Sequence, residues 1–139
     1  MSYIYGPVPS RRLGFSLGID VLPKKTCSFD CIYCQLGRTD NRTTVRSSYI
    51  DVNKLTGQLK AIIKINPRID YITLSGSGEH TLHKKLNEII AVIKKETKNK
   101  YPVCVITNSS LLHRKEVRKE LKNADLIIPS LDAATVRIF

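Results

Sequence analysis

At 139 residues, with 42% apolar and 25% charged side chains, the chain has the size and composition of one soluble globular domain and not of a disordered tail. Apolar stretches such as Ile62-Ile63 and Leu126-Ile127-Ile128 fall far short of the roughly 18 residues a membrane-crossing helix needs. The N-terminus also lacks the apolar core of a signal peptide, so a cytoplasmic protein with no membrane partner is expected. The formal charge of +11 points to an anionic partner, whether nucleic acid, nucleotide or phosphorylated metabolite, without choosing among them.

The apolar pattern alternates short runs with longer helical periods, free of repeats and linkers, which is the rhythm of a β/α protein. Leu17 to Leu22 reads as a first strand buried on both faces. It runs into Lys24-Lys25-Thr26 and a cysteine-rich loop. Gln35 to Ile50 reads as a loop, with a short strand pair at Thr43–Val45 and Tyr49-Ile50 as the alternative. Asp51 is suited to cap a helix that places Val52, Leu55, Leu59, Ile62 and Ile63 on one face and ends at Pro67.

A second strand over Ile69–Leu74 leads into Gly76-Ser77-Gly78-Glu79. A second helical face follows, made of Leu82, Leu86, Ile89, Ile90 and Ile93, with Lys94, Lys95, Lys98 and Lys100 as its solvated end. The third strand, Val103–Ile106, runs into Thr107-Asn108, and Leu112, Val117 and Leu121 mark a third helix. The fourth strand, Leu126–Ile128, leads to Ser130-Leu131-Asp132. His83 and His113 fall on predicted helices and read as surface residues.

Four parallel strands with crossover helices suit either an open doubly wound sheet or a (β/α) barrel, and periodicity does not separate them. A complete barrel takes eight such units and about 250 residues. The chain is therefore expected to be truncated after Phe139, with later strands missing and a parallel edge strand left uncovered.

Each polar or glycine-rich element lies just beyond the C-terminal end of a predicted strand, where β/α proteins gather ligand and catalytic groups. Of the four cysteines, Cys27, Cys31 and Cys34 crowd into eight residues. Without a secretion signal, a thiolate metal site is the better reading than a pair of disulfides. Soft thiolates suit iron-sulfur clusters and zinc alike, and a zinc site would be completed by Cys104 or a histidine. Cys104 itself, inside a predicted strand, reads as a small buried core residue. Three thiolates at this spacing can wrap one loop around a compact cluster, each on a different iron, leaving the fourth iron without a nearby protein ligand.

The run Cys27-Ser28-Phe29-Asp30-Cys31-Ile32-Tyr33-Cys34 resembles the C-x3-C-x-aromatic-C signature of the radical S-adenosylmethionine (radical SAM) superfamily, which follows the first strand of a TIM-type barrel. The flanking Gly6-Pro7-Val8-Pro9-Ser10-Arg11-Arg12-Leu13-Gly14, Leu17-Gly18-Ile19-Asp20 and Gln35-Leu36-Gly37-Arg38-Thr39 are similar to an iron-sulfur oxidoreductase branch related to the wyosine tRNA-modifying enzymes. The resemblance covers essentially the whole chain.

It implies a partial (β/α) radical SAM barrel. Residues 1–139 would be the N-terminal portion of the core domain, with a cluster loop over 24–39. Cys27, Cys31 and Cys34 would hold a [4Fe-4S] cluster whose open iron is chelated by S-adenosylmethionine. Reductive cleavage would then yield a 5′-deoxyadenosyl radical that abstracts hydrogen from substrate. A reducing donor such as flavodoxin or ferredoxin, and an anionic small molecule or RNA as substrate, are the implied partners.

Gly76, Ser77, Gly78 and Glu79 resemble the family's glycine-glycine-glutamate-proline motif, whose backbone holds the methionine ammonium of the cofactor. His80 stands where that motif usually has proline, and the bland reading is a solvated loop histidine. Tyr33 would pack beside the adenine, or else form local core. Asn108, Ser130 and Asp132 lie where family members contact the ribose or carboxylate of the cofactor. Asn108 and Asp132 are equally suited to cap the helices that follow. Arg11 and Arg12 are candidates for an anionic substrate, although exposed loop arginines need no such role. Two further readings stand beside the enzyme: a non-catalytic metal or nucleic-acid binding module, and an inactive fragment of a radical SAM protein.

Overall fold

The computed structural model describes residues 2–23, 25–34 and 36–130; Asp132 lies outside them. Its centre is a five-stranded sheet. In chain order the elements are β1 (Ile4–Ser10), β2 (Gly14–Ile19), β3 (Thr26–Cys27), β4 (Asn41–Arg42), α1 (Val52–Ile65), β5 (Tyr71–Leu74), α2 (Leu86–Glu96), β6 (Val103–Thr107), α3 (Lys115–Leu121) and β7 (Leu126–Pro129). The sheet runs β1-β2-β5-β6-β7, and β3 pairs with β4 in a separate two-residue ladder. The four strands expected from the apolar runs are present and parallel, with Leu17 opposite Ile72, Ile72 opposite Val103 and Cys104 opposite Leu126.

Three features differ from expectation. The fifth strand, β1, is antiparallel to β2 and forms a hairpin edge. Its sequence, Ile-Tyr-Gly-Pro-Val-Pro-Ser, carries two prolines that cannot donate to a ladder, which is tolerable only on an edge or at a bulge. The register indeed shifts between Tyr5 and Val8. The first parallel strand occupies Gly14–Ile19 and not Leu17–Leu22. Val21 and Leu22 are buried but lie past the ladder, because the chain turns at Asp20, whose carboxylate accepts the Leu22 N–H at 3.3 Å. Within the segment read as a loop, the pairing falls on Asn41–Arg42 and at one isolated bridge, Ser47 to His83, and not on Thr43–Val45 or Tyr49-Ile50.

The helices form where their caps and apolar faces require. Asp51 accepts the Asn53 and Lys54 N–H groups at 2.9 and 3.4 Å, and α1 ends on Asn66 in a left-handed conformation just before Pro67. Leu82 belongs to a separate 3-10 turn, His80–Leu82, ahead of α2, while α3 starts at Lys115, after Leu112.

Leu17, Ile19, Ile72, Leu74, Val103 and Val105 share one sheet face and join Leu55, Leu59, Ile89, Ile90, Ile93, Val117 and Leu121 in a single core. The strands are not buried on both faces throughout, since Ile106 and Ile127 are 38% and 36% exposed. On the opposite face Ser16 and Thr73 pair their hydroxyls at 2.6 Å, and the Tyr5 ring occupies the space a side chain at Gly18 would need.

Gly57, exposed in the middle of α1, has no atom within 4 Å of where a Cβ would stand. Gly57→Ala should therefore stabilise the protein by about 0.5–1 kcal/mol, read as a higher denaturant midpoint at unchanged slope.

Candidate functional site

Past Asp20 the chain enters the cysteine loop, which local bonds close into a compact arm. The β3–β4 ladder fixes its base. Within it the Cys34 N–H donates to the Cys31 carbonyl at 3.1 Å, the Gly37 N–H to the Cys34 carbonyl at 3.1 Å, and the Thr43 N–H to the Cys27 carbonyl at 3.0 Å. Thr39 ties the arm across, its N–H on the Asp30 carboxylate at 2.8 Å and its hydroxyl on the Phe29 carbonyl at 2.6 Å. The backbone so wound brings Cys27, Cys31 and Cys34 to the wall of one pocket of about 180 Å³, together with Tyr33, Gly76, Gly78, Glu79 and Asn108. These residues come from the loops after β2, β5 and β6.

Glu79 joins the three loops. Its N–H donates to the Thr26 carbonyl at 3.1 Å, an approach that leaves no room for a side chain at Gly78. One carboxylate oxygen of this buried residue accepts the Thr81 N–H and hydroxyl at 3.2 and 3.0 Å, and the other accepts the Asn108 N–H at 2.5 Å. Asn108 in turn donates from its side-chain amide to the Ser28 hydroxyl at 2.9 Å and stands 3.5 Å from the Cys27 sulfur. It does not cap α3, which starts seven residues later on an Arg114 cap; its side-chain oxygen accepts the Ser110 N–H at 3.0 Å.

The remaining predicted residues stand elsewhere. Ser77 turns away from the thiols, its N–H 2.8 Å from the Asp20 carboxylate and its hydroxyl on the same oxygen, and lines a second pocket of about 420 Å³ with Tyr3 and Tyr49. Ser130 follows β7, bonded to Thr107 and Ser109, and is not among the residues lining the thiol pocket. Cys104 is fully buried in β6, and burial pushes its thiol pKa up to about 11. Among the described residues, no three of His, Cys, Asp or Glu converge as the ligands of a single metal ion would.

Two histidines read as solvent-facing are fully buried. His80 sits with Nδ1 3.2 Å from the Gly78 carbonyl oxygen and Nε2 3.3 Å from the Asp20 carboxylate, the second a close contact without hydrogen-bond alignment. His83 is in no helix. Its Nε2 faces the Tyr49 N–H at 3.2 Å and its Nδ1 the Lys85 N–H at 3.1 Å. A neutral ring accepts at only one nitrogen and a protonated ring at neither. Burial, then the nearby His80, Arg46 and Lys85, lower its pKa to about 4. His113 is exposed as expected, but in the turn before α3.

The folded state therefore prefers neutral His83, and stability should be complete above the unfolded value near pH 6.5 and fall as the pH drops toward about 4, by up to about 3 kcal/mol. Urea unfolding across that range should show this slope, and His83→Gln should flatten it; equal slopes would remove the assignment.

Lys25 is a site residue that the sequence did not single out. It is 5% exposed, and its ammonium contacts the Cys34 sulfur. That contact, followed by the Leu36 N–H, lowers the Cys34 thiol pKa and favours the thiolate. In sequence Lys25 looks like half of an exposed Lys-Lys pair.

The radical SAM superfamily model matches residues 21–137, which include the whole cysteine loop and all three pocket-forming loops. The chain belongs to the radical SAM superfamily. It is 52% identical over 136 residues to the GTPase Obg of Brachyspira hyodysenteriae, a match covering 98% of this chain and 20% of that protein. It is 40% identical to a UPF0026 protein of Methanocaldococcus jannaschii over 100% of this chain and 43% of the relative. With a UPF0026 protein of Synechocystis it shares 45% identity over 93% of this chain and 48% of the relative. The chain thus spans less than half the length of these relatives. Among solved structures, TYW1 with a lysine-pyruvate adduct bound is similar in fold, at TM-score 0.50 and 18% identity, over 88% of this chain and 43% of that one.

The family's cofactor, a [4Fe-4S] cluster with S-adenosylmethionine, fits the residues present. Three soft donors from one loop share a pocket with a buried cation, and two glycines provide a wall free of side chains.

Proposed function

We propose that the chain holds a [4Fe-4S] cluster through Cys27, Cys31 and Cys34 and binds S-adenosylmethionine beside it. The observation that carries this reading is the meeting of the three thiols with Gly76, Gly78 and Asn108 around one pocket. When bound, the cluster and its ligand supply reductive cleavage of S-adenosylmethionine to a 5′-deoxyadenosyl radical, which takes hydrogen from a substrate.

The protein's own part is placement. Thr39 and Asp30 hold the arm closed. Gly76 and Gly78 offer backbone at the pocket wall, and Glu79 fixes that wall to Asn108. Tyr33, at the pocket rim, is suited to cover an adenine. Ser130 and Asp132 are proposed as further contacts to the cofactor. Within a radical SAM core, residues 1–139 form the N-terminal portion, with the cluster loop over 24–39. The electron comes from a low-potential donor of the flavodoxin or ferredoxin kind, and the charge of +11 suits an anionic substrate, a small molecule or RNA. No helix among the described residues is long and apolar enough to cross a membrane.

The test is anaerobic loading with iron and sulfide, reduction by dithionite, and chromatography for 5′-deoxyadenosine and methionine. Both products are expected from the loaded protein. A loaded and reduced protein that leaves S-adenosylmethionine intact would refute the enzymatic reading for this chain. Zinc retained in place of iron would instead support a non-catalytic metal module.

A further inference from the structure

The loop that lines the thiol pocket after β5 is held from behind. Asp20, one residue past β2, receives the Ser77 N–H at 2.8 Å and the Ser77 hydroxyl on one carboxylate oxygen. On the other it meets the Leu22 N–H at 3.3 Å and His80 Nε2 at 3.3 Å. The opposite ring nitrogen of His80, Nδ1, lies 3.2 Å from the Gly78 carbonyl oxygen, while Nε2 is buried against Asp20 without an aligned hydrogen bond. The loop presses so closely on Asp20 that a Cβ at Gly76 would stand 2.5 Å from the carboxyl carbon. His80 is fully buried, and the Asp20 side chain is one-fifth exposed. A buried polar pair of this kind fixes geometry, because its desolvation is offset only while every partner stays in place.

We propose that Asp20 and His80 are positioning residues that hold Gly76–Gly78 in the shape that receives S-adenosylmethionine. The inference rests on the cofactor reading above. In this chain the ring contacts of His80 would do what a proline ring does in the family motif. The backbone supports the comparison. His80 is the first residue of a 3-10 turn, and Glu79 before it is extended, with φ −94° and ψ 107°, a setting that accepts proline at the next position. Neither side chain is among the residues that line the thiol pocket.

The experiment compares wild type with His80→Ala, Asp20→Asn and His80→Pro. Each is loaded anaerobically, assayed for iron and sulfide, and titrated with S-adenosylmethionine by calorimetry in the oxidised state, where no turnover occurs. His80→Ala and Asp20→Asn should load as much cluster as wild type yet bind S-adenosylmethionine about 10- to 100-fold more weakly. His80→Pro should recover most of that loss. Equal affinity in all four proteins would overturn the inference, as would loss of cluster in parallel with affinity, or a proline variant no better than alanine. A cluster-loaded wild type that itself binds no S-adenosylmethionine would take down the cofactor reading and this inference together, and is recognised by the wild-type result alone.

Discussion

Cys27→Ala, Cys31→Ala and Cys34→Ala should each leave the protein unable to retain a cluster after anaerobic reconstitution, whereas Cys104→Ala should load as wild type does. The contrast follows from position. The first three thiols line one pocket, on a loop whose internal bonds hold it closed. Cys104 lies inside β6, where burial keeps it a thiol. In the proposed cluster each thiolate would bind its own iron, so the loss of one would not be made good by another residue of the loop. Iron and sulfide content with absorption spectroscopy reads the outcome. A triad variant that loads fully, or a Cys104 variant that does not, would reassign the ligands.

Gly78→Ala should be the most damaging single methyl group that can be added near the site. The new Cβ would overlap the Thr26 carbonyl, which is backbone and cannot swing aside. Relief requires the loop after β5 to part from β3, breaking the Glu79 N–H to Thr26 carbonyl bond of 3.1 Å. The combined cost should be about 2–4 kcal/mol, and the cysteine and glycine walls should separate. Gly37→Ala is the control. It has a left-handed φ of 81° but no atom within 4 Å of its Cβ position, so it should cost only about 1 kcal/mol. Chemical denaturation of both variants reads the difference, and a Gly78→Ala protein as stable as Gly37→Ala would contradict the packing described.

Some of this arrangement was legible in the sequence and some was not, for reasons that differ by residue. The parallel strands declare themselves because Ile72, Val103 and Val105 sit in short apolar runs. The cysteines declare themselves because their chemistry is encoded in local spacing. β1 hides because Pro7 and Pro9 argue against any strand, and only its place at the edge of the sheet permits it.

In the sequence His80 and His83 look like surface groups, because nothing nearby explains their burial. His80 is matched by Asp20, sixty positions away, and His83 by the Tyr49 backbone. Lys25 likewise acquires its role only when the loop returns Cys34 to its ammonium. The motif points Glu79 toward the cofactor, yet its carboxylate is taken up by Thr81 and Asn108, a structural task that the motif alone does not reveal. Spacing within one loop is thus readable, whereas pairings between loops become visible only once the sheet sets the loops side by side.

Together, these loops are proposed to form one cofactor site. The most direct test of this proposal is electron paramagnetic resonance of the reconstituted, dithionite-reduced protein with and without S-adenosylmethionine. The expected result is a [4Fe-4S] signal that changes form when S-adenosylmethionine is added, because in the proposed site the cofactor would bind the iron that the three cysteines leave open. A reduced cluster whose signal is indifferent to S-adenosylmethionine would contradict it.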